Sequence, residues 1–209
     1  EEEHVLLVDS NFLEMFNFPL IKGDAKTAMD KSQGVVLTES MAKTYFVEED
    51  PMGKLVRIGN AEEQNTYEVT GVAKDPPDNT YFKFDAHLSV YSIPIFPRIQ
   101  WSWVWTQLET YIRVTENPNI EDTRATLARI PRKHAEVTLQ RVMNMSYDEY
   151  VKSGKKWELF LQPLTAIHLP EELVYNRISA AGNITIIYSL IGAAVFIILL
   201  SCVNFMNLS

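Results

Sequence analysis

Ile184 to Phe205 reads ITIIYSLIGAAVFIILLSCVNF, and the rest of the chain is organised around it. No Asp, Glu, Lys or Arg occurs after Arg177. At about 1.5 Å per residue a helix of this run reaches about 33 Å, enough to cross a hydrocarbon core of about 30 Å. Thr185, Ser189, Ser201 and Asn204 interrupt it only mildly. Lipid offers a backbone no hydrogen bonds, and a helix satisfies its own. A buried helix of a soluble protein is usually shorter and carries a polar stripe, which this run lacks. Its C-terminal position excludes a cleavable signal peptide. The run reads as a transmembrane helix over 184–205, with 206–209 opening a cytoplasmic segment. Ser189, Gly192 and Ala193 cluster on one side of it, and small residues there let a neighbouring helix approach closely.

Residues 1–183 are ordinary globular material, long enough for one domain or two small ones sharing a core. The chain starts at Glu1 and stops just after Asn207, so a piece of a longer membrane protein is expected. The formal net charge of −8 argues against nucleic acid, whose phosphates call for clustered Lys and Arg. Cys202 is the only cysteine and lies inside the apolar run, so residues 1–183 can form neither a disulfide nor a thiolate metal site.

Short strands and helices interleave along 1–183 without a regular βαβ series, which predicts an α+β fold with a mixed sheet. His4 to Val8 reads as a strand, and Ser10 as the cap of a short helix over 11–16. Phe18 to Ile21 is extended, and 25–33 is a polar connection. Val35 to Leu37 is a strand, after which Thr38 caps a helix over 39–46 that turns Met41, Ala42 and Tyr45 to one face. Asp50-Pro51-Met52-Gly53 is a turn. Lys54 to Ile58 and Tyr67 to Val72 form a hairpin. A rigid turn at 75–79 leads to Phe82, Phe84 and an extended run over 86–91. Beyond Pro94 and Pro97, Trp101, Trp103 and Trp105 recur at period two, which on a strand places them on one face. Gln107 to Val114 (QLETYIRV) and Trp157 to Leu161 read as strands, with Pro163 to Leu169 an extended return. Asn119 opens a helix that Pro131 kinks or restarts, and Val137, Arg141 and Met145 continue its apolar stripe. Asn183 caps the membrane helix.

No catalytic or cofactor-binding constellation emerges. His4, His87, His134 and His168 lack companions at metal-ligand spacing. There is no nucleophile elbow, and Gly53-Lys54 lacks the upstream glycine of a phosphate loop. The pairs Asp75/Asp78 and Asp148/Glu149 sit in polar turns, where a solvated surface is the better reading than acid–base work. No catalytic, cofactor or metal residue is assigned. The tryptophans are either packing under a helix or an exposed patch for a partner or amphipathic substrate.

Several stretches read together. They are VVLTESMAKTYF at 35–46, EDPMGK at 49–54, YEVTGVAKD at 67–75, PDNTYFKFD at 77–85, LQPLT at 161–165 with IHL at 167–169, and CVNFMNL at 202–208. In this order they resemble the FtsX-like permease family of ABC transporters, specifically a MacB-like periplasmic core domain plus the second transmembrane helix, of the Bacteroidetes type. Each motif alone is weak; together, in register, they cover nearly the whole chain. Residues 93–151 match no motif and are expected to form a variable second subdomain that sets partner and cargo.

The resemblance implies a permease in the bacterial inner membrane with residues 1–183 on the periplasmic side. It implies pairing with a second permease copy, as a homo- or heterodimer, and docking of an ATP-binding cassette subunit that hydrolyses ATP outside this chain. It also implies contact with the lipid bilayer and with a periplasmic adaptor or cargo, and transmission of ATP-driven helix motion to export or extraction of a substrate. The rival reading is a membrane-tethered sensor domain feeding a signalling protein, which a long helical segment after Ser209 would favour; an anchored enzyme would need a clustered polar site.

Overall fold

The computed structural model describes residues 4–59, 64–104, 108–167 and 182–208. It divides into two compact units, Glu1–Leu161 and Gln162–Ser209.

The first unit is built on a mixed sheet. Its described strands are β1 (Val5–Val8), β2 (Leu20–Lys22), β3 (Gly34–Thr38), β4 (Leu55–Gly59), β5 (Gln64–Ala73) and β6 (Ala86–Ser89), in the order β1-β6-β3-β5-β2, with β4 also on β5. β1 runs parallel to β6 and β3 to β5, while β3/β6, β2/β5 and β4/β5 are antiparallel. The architecture is α+β with a mixed sheet, as the sequence predicts, and the expected hairpin is β4–β5.

Every residue of β3 is buried, because both faces of the sheet are covered there. On one face Val35, Leu37, Val69, Val72, Ala86 and Leu88 pack against Ala42 of α2 (Glu39–Phe46), with Met41 and Phe46 beside it. Tyr45 is half-exposed, so Phe46 takes the place expected for it. On the other face His87, the register partner of Val36, meets the rings of Phe12, Phe18 and Phe84. Burying each of these aliphatic side chains contributes about 1.5–3 kcal/mol.

A bulge makes the two faces possible. Val35 pairs with Val69 but Val36 pairs with Gly71, which leaves Thr70 as the extra residue. The bulge shifts the phase of β5, so Val72 rather than Gly71 follows Val69 onto the α2 face. Thr70 Oγ1 donates to the carbonyls of Ala28 (2.7 Å) and Val35 (3.2 Å), pinning the connection after β2 to the sheet. That connection is not merely polar: Ala28 and Met29 are buried. Gly23, with φ +91°, runs so close that a Cβ would lie 2.6 Å from the Thr70 carbonyl oxygen.

A side-chain cap fixes α2 of this core. In α2 the Thr38 side chain accepts from the Met41 N–H, and Asp75, from the turn after β5, takes the Ser40 N–H at 3.0 Å and the Ser40 hydroxyl at 2.6 Å. A carboxylate there also complements the helix dipole. The short α1 (Phe12–Met15) departs from expectation: its N-cap is Asn11, not Ser10, and Asp9 Oδ1 accepts the Asn11 N–H at 3.0 Å. An aspartate two residues back closes that turn better than the serine hydroxyl.

The remainder of the first unit is helical, with α3 (Phe96–Ile99), α4 (Ile120–His134), α5 (Glu136–Met143) and α6 (Tyr147–Lys152). Asn119 caps α4 by accepting from the Glu121 and Asp122 N–H groups. Pro131 neither ends nor restarts α4 at its own position. The helix passes through it, and the restart falls at Ala135, whose N–H donates to the Pro131 carbonyl at 2.8 Å. The buried stripe is Pro131, Ala135, Thr138 and Leu139, while the expected Val137 and Arg141 are exposed.

Two expected strands are not formed. Residues 108–114 and 157–161 belong to no ladder. Their β-rich composition counts only where a neighbouring strand completes the backbone hydrogen bonds. Instead, Tyr111 inserts its ring against Phe16 and Phe82, and Trp157 leans on Tyr150. After Pro163, Leu164–Ala166 is a turn of 3-10 helix rather than an extended return. Gln107, His168 and Leu169 lie outside the described residues.

In the second unit α7 (Ile184–Leu208) runs three residues past the expected end and is long and apolar enough to cross a membrane. Asn183 Oδ1 accepts the Thr185 N–H at 2.9 Å, as its capping role predicts.

The cross-loop cap on α2 sets an expected outcome. Asp75→Ala lowers stability by about 1 kcal/mol in urea denaturation, and Ser40→Ala by a similar amount. The double variant loses clearly less than the two together, by at least about 0.5 kcal/mol; strict additivity would show that the contact does not couple them.

Candidate functional site

Trp101 and Trp103 do not share a strand face. Trp101 and Trp103 lie in a turn that follows α3, and Trp105 lies outside the described residues. The turn is fastened to the helical segment by one hydroxyl. Thr138 Oγ1, fully buried on α5, donates to the Trp101 carbonyl at 2.9 Å and accepts the Trp103 N–H at 3.0 Å. The indoles then reach in opposite directions along the helical face 134/138/141. Trp103 stacks on His134 at 5.9 Å and 11°, and the Arg141 guanidinium lies 4.7 Å above the Trp101 ring. Packing accounts for Trp103. Trp101 stays 37 % exposed beneath its cation, so the surface presented outward is one indole with a guanidinium over it. The period-two spacing came from a turn, and the residue that organises it, Thr138, carries no motif.

Ser189, Gly192 and Ala193 fall on consecutive turns of α7, all exposed. Ser189 Oγ donates back to the Thr185 carbonyl at 2.8 Å, which masks its polarity for an apolar setting. A Cβ built on Gly192 would meet nothing within 4 Å, so the helix itself does not need a glycine there.

The acidic pairs have structural work. Asp75 holds the N-terminus of α2, Asp148 accepts from Arg132 at 2.9 Å, and Glu149 closes a capping box with Ser146. The backbone N–H of Ser146, followed by its hydroxyl, holds the Glu149 carboxyl below its usual range. Arg132–Asp148 thereby ties α6 to α4. Among the described residues no three of His, Cys, Asp and Glu gather at metal-ligand spacing. The cleft between α2 and the sheet, lined by Val5, Leu37, Met41 and Ala86 among others, holds about 20 Å³, whereas small-molecule sites take roughly 300–1,000 Å³.

Thr138 is testable by an isosteric change. Thr138→Val strands the Trp103 N–H and the Trp101 carbonyl, so it destabilises the helical segment by about 1–3 kcal/mol, read as an earlier transition in tryptophan emission during urea unfolding. Thr138→Ser keeps the hydroxyl and stays near wild type; equal losses in both variants would assign the effect to packing instead.

The comparisons with known proteins agree with this layout. No curated protein matches the chain. Among solved structures, a permease-protein domain from Porphyromonas gingivalis superposes with a TM-score of 0.50 at 22 % identity, over 64 % of this chain and 60 % of that one. The periplasmic region of MacB from Actinobacillus actinomycetemcomitans aligns with a TM-score of 0.39 at 17 % identity, over 71 % of this chain and 64 % of that one. The chain thus spans less than two thirds of either. The first shares its fold. The family described as MacB-like periplasmic core domain matches residues 2–130, which include the whole sheet and α2. That match covers more than half of the sequence, and the chain belongs to the family of MacB-like periplasmic core domains.

Proposed function

We propose that this chain is the periplasmic domain and second membrane helix of an ABC transporter permease in the bacterial inner membrane, and that it couples ATP-driven helix motion to export or extraction of a substrate. The observation that carries this reading is the pairing of a MacB-like periplasmic core, matched over residues 2–130, with a 25-residue apolar helix at the other end of the chain. A periplasmic domain on the same chain as a membrane helix can receive movement from the far side of the bilayer. The Asn183 cap starts α7 at a defined residue, which favours transmission over slack.

In this reading ATP is hydrolysed by a separate or fused ATP-binding cassette, and a second permease copy lies alongside in the bilayer. Ser189, Gly192 and Ala193 form the face of α7 that meets a neighbouring helix. The segment 93–151, with Trp101 exposed on it, faces an adaptor or cargo.

Inserting about ten flexible Gly/Ser residues between Gly182 and Asn183 of the full-length permease decouples domain from helix. Expected are normal membrane insertion, near-normal basal ATPase activity of the assembled complex and loss of export. Full export by the insertion variant would reduce α7 to an anchor. Gly192→Leu is expected to leave the isolated helix intact, since a Cβ at this position meets nothing within 4 Å. It is expected to weaken cross-linking between membrane helices of the complex several-fold; unchanged cross-linking would remove this face from the interface.

A further inference from the structure

Among the described residues, His87 is the one histidine the fold encloses completely, at 0 % exposure. It sits in β6 between its register partners Leu6 of β1 and Val36 of β3. Its ring centroid lies 3.9 Å from that of Phe84, 5.0 Å from Phe12 and 6.3 Å from Phe18. Neither Nδ1 nor Nε2 has a hydrogen-bond partner. A neutral imidazole brings one donor and one acceptor into this cage and finds use for neither, an expensive arrangement that packing alone does not call for.

Charged groups on the surrounding elements turn elsewhere. β1 and β3 carry none, and β6 has only His87 itself. Glu14 of α1 is exposed. Lys83 donates to the Pro77 and Asp78 carbonyls, and the Asp85 carboxylate accepts the His4 N–H at 2.8 Å. Asp9, beyond β1, accepts from Asn11. On the far side of the cluster, the Tyr111 hydroxyl donates to Glu109. An imidazolium in the cage would meet aromatic rings and no carboxylate.

The cage is also a bridge. Phe12 contacts Phe16 and Phe82 at 5.0 and 5.2 Å, and both of those contact Tyr111, at 5.2 and 5.4 Å. Tyr111 belongs to the segment outside the sheet that carries the tryptophans. A continuous set of ring contacts therefore runs from a central strand to that segment, through α1 and the 82–84 loop. Neither of these two is in the sheet, so they can separate from it while β3 and β5 stay paired.

We propose that His87 is an acid-sensitive latch: its protonation expels the imidazole from the aromatic cage, frees α1 and the 82–84 loop from the sheet, and releases Tyr111 with the segment behind it. Burial pushes His87 down from 6.5 to about 3. With the closed-state value below the open one, the contribution to closure is complete above about pH 6.5 and fades as pH falls from there toward 3. At pH 5 the closed-to-open ratio is lower by about 30-fold than at pH 7.5.

Hydrogen exchange on the full-length protein in bilayer discs, corrected for intrinsic rates, tests this. Between pH 7.5 and 5, protection within 11–16, 79–85 and 108–114 is expected to fall by about 30-fold, while β3 and β5 keep theirs; His87→Phe is expected to abolish the pH dependence. Loss of protection across all strands together, or the same acid response in His87→Phe, overturns the latch. Should that variant fold poorly, the NMR titration of His87 in the wild-type protein decides: an imidazole still neutral in the closed form at pH 5 supports it, and a midpoint near 6.5 overturns it.

Discussion

A strand with both faces covered and both edges paired is the constraint on which the first unit depends. β3 is that strand: β6 bonds one edge, β5 the other, and no residue from Gly34 to Thr38 is exposed. Such a position admits only small or aliphatic residues and obliges its neighbours to supply two separate apolar layers. One layer is α2, held by the Thr38 and Asp75 caps. The other is the cluster of phenylalanines around His87. The bulge at Thr70 reconciles them, because without the extra residue Val72 would point away from α2.

The stretches that resemble permease motifs acquire physical meaning from this arrangement. VVLTES is the doubly buried strand with its helix cap. YEVTGVAKD is the partner strand, its bulge, and the carboxylate that reaches back to Ser40. EDPMGK is a turn in which Gly53 adopts φ +74° and donates its N–H to the Val69 carbonyl, with Lys54 paired to Glu49. These residues hold the sheet together. A family recognised through them is recognised by its scaffold.

The segment outside the sheet is organised by side-chain contacts instead of ladders. The turn at Trp101–Trp103 hangs from Thr138, α6 is tied to α4 by Arg132–Asp148 and to α5 by Glu136, and the residues after the turn are held by the Tyr111 ring. Contacts of this kind have no period. Their loss is also local, so this segment can move with respect to the sheet at lower cost than any strand can leave it.

The sequence by itself determined what short-range chemistry controls. The apolar run could only be a helix, since its length and lack of charge leave no other way to satisfy a backbone in lipid. Helix α2, the caps Thr38, Asn119 and Asn183, the hairpin and the α+β class followed from residue types at fixed offsets. Tertiary structure decided what depends on partners distant in sequence. QLETYIRV has the composition of a strand, but a strand exists only where another completes its hydrogen bonds. Trp101 and Trp103 have the spacing of a face, yet Thr138 bends them into a turn. Asp75 reads as a solvated turn residue until the fold brings it to Ser40, 35 positions earlier. His87 reads as one histidine among four, and only the convergence of three phenylalanines from separate elements makes it a buried base without a partner.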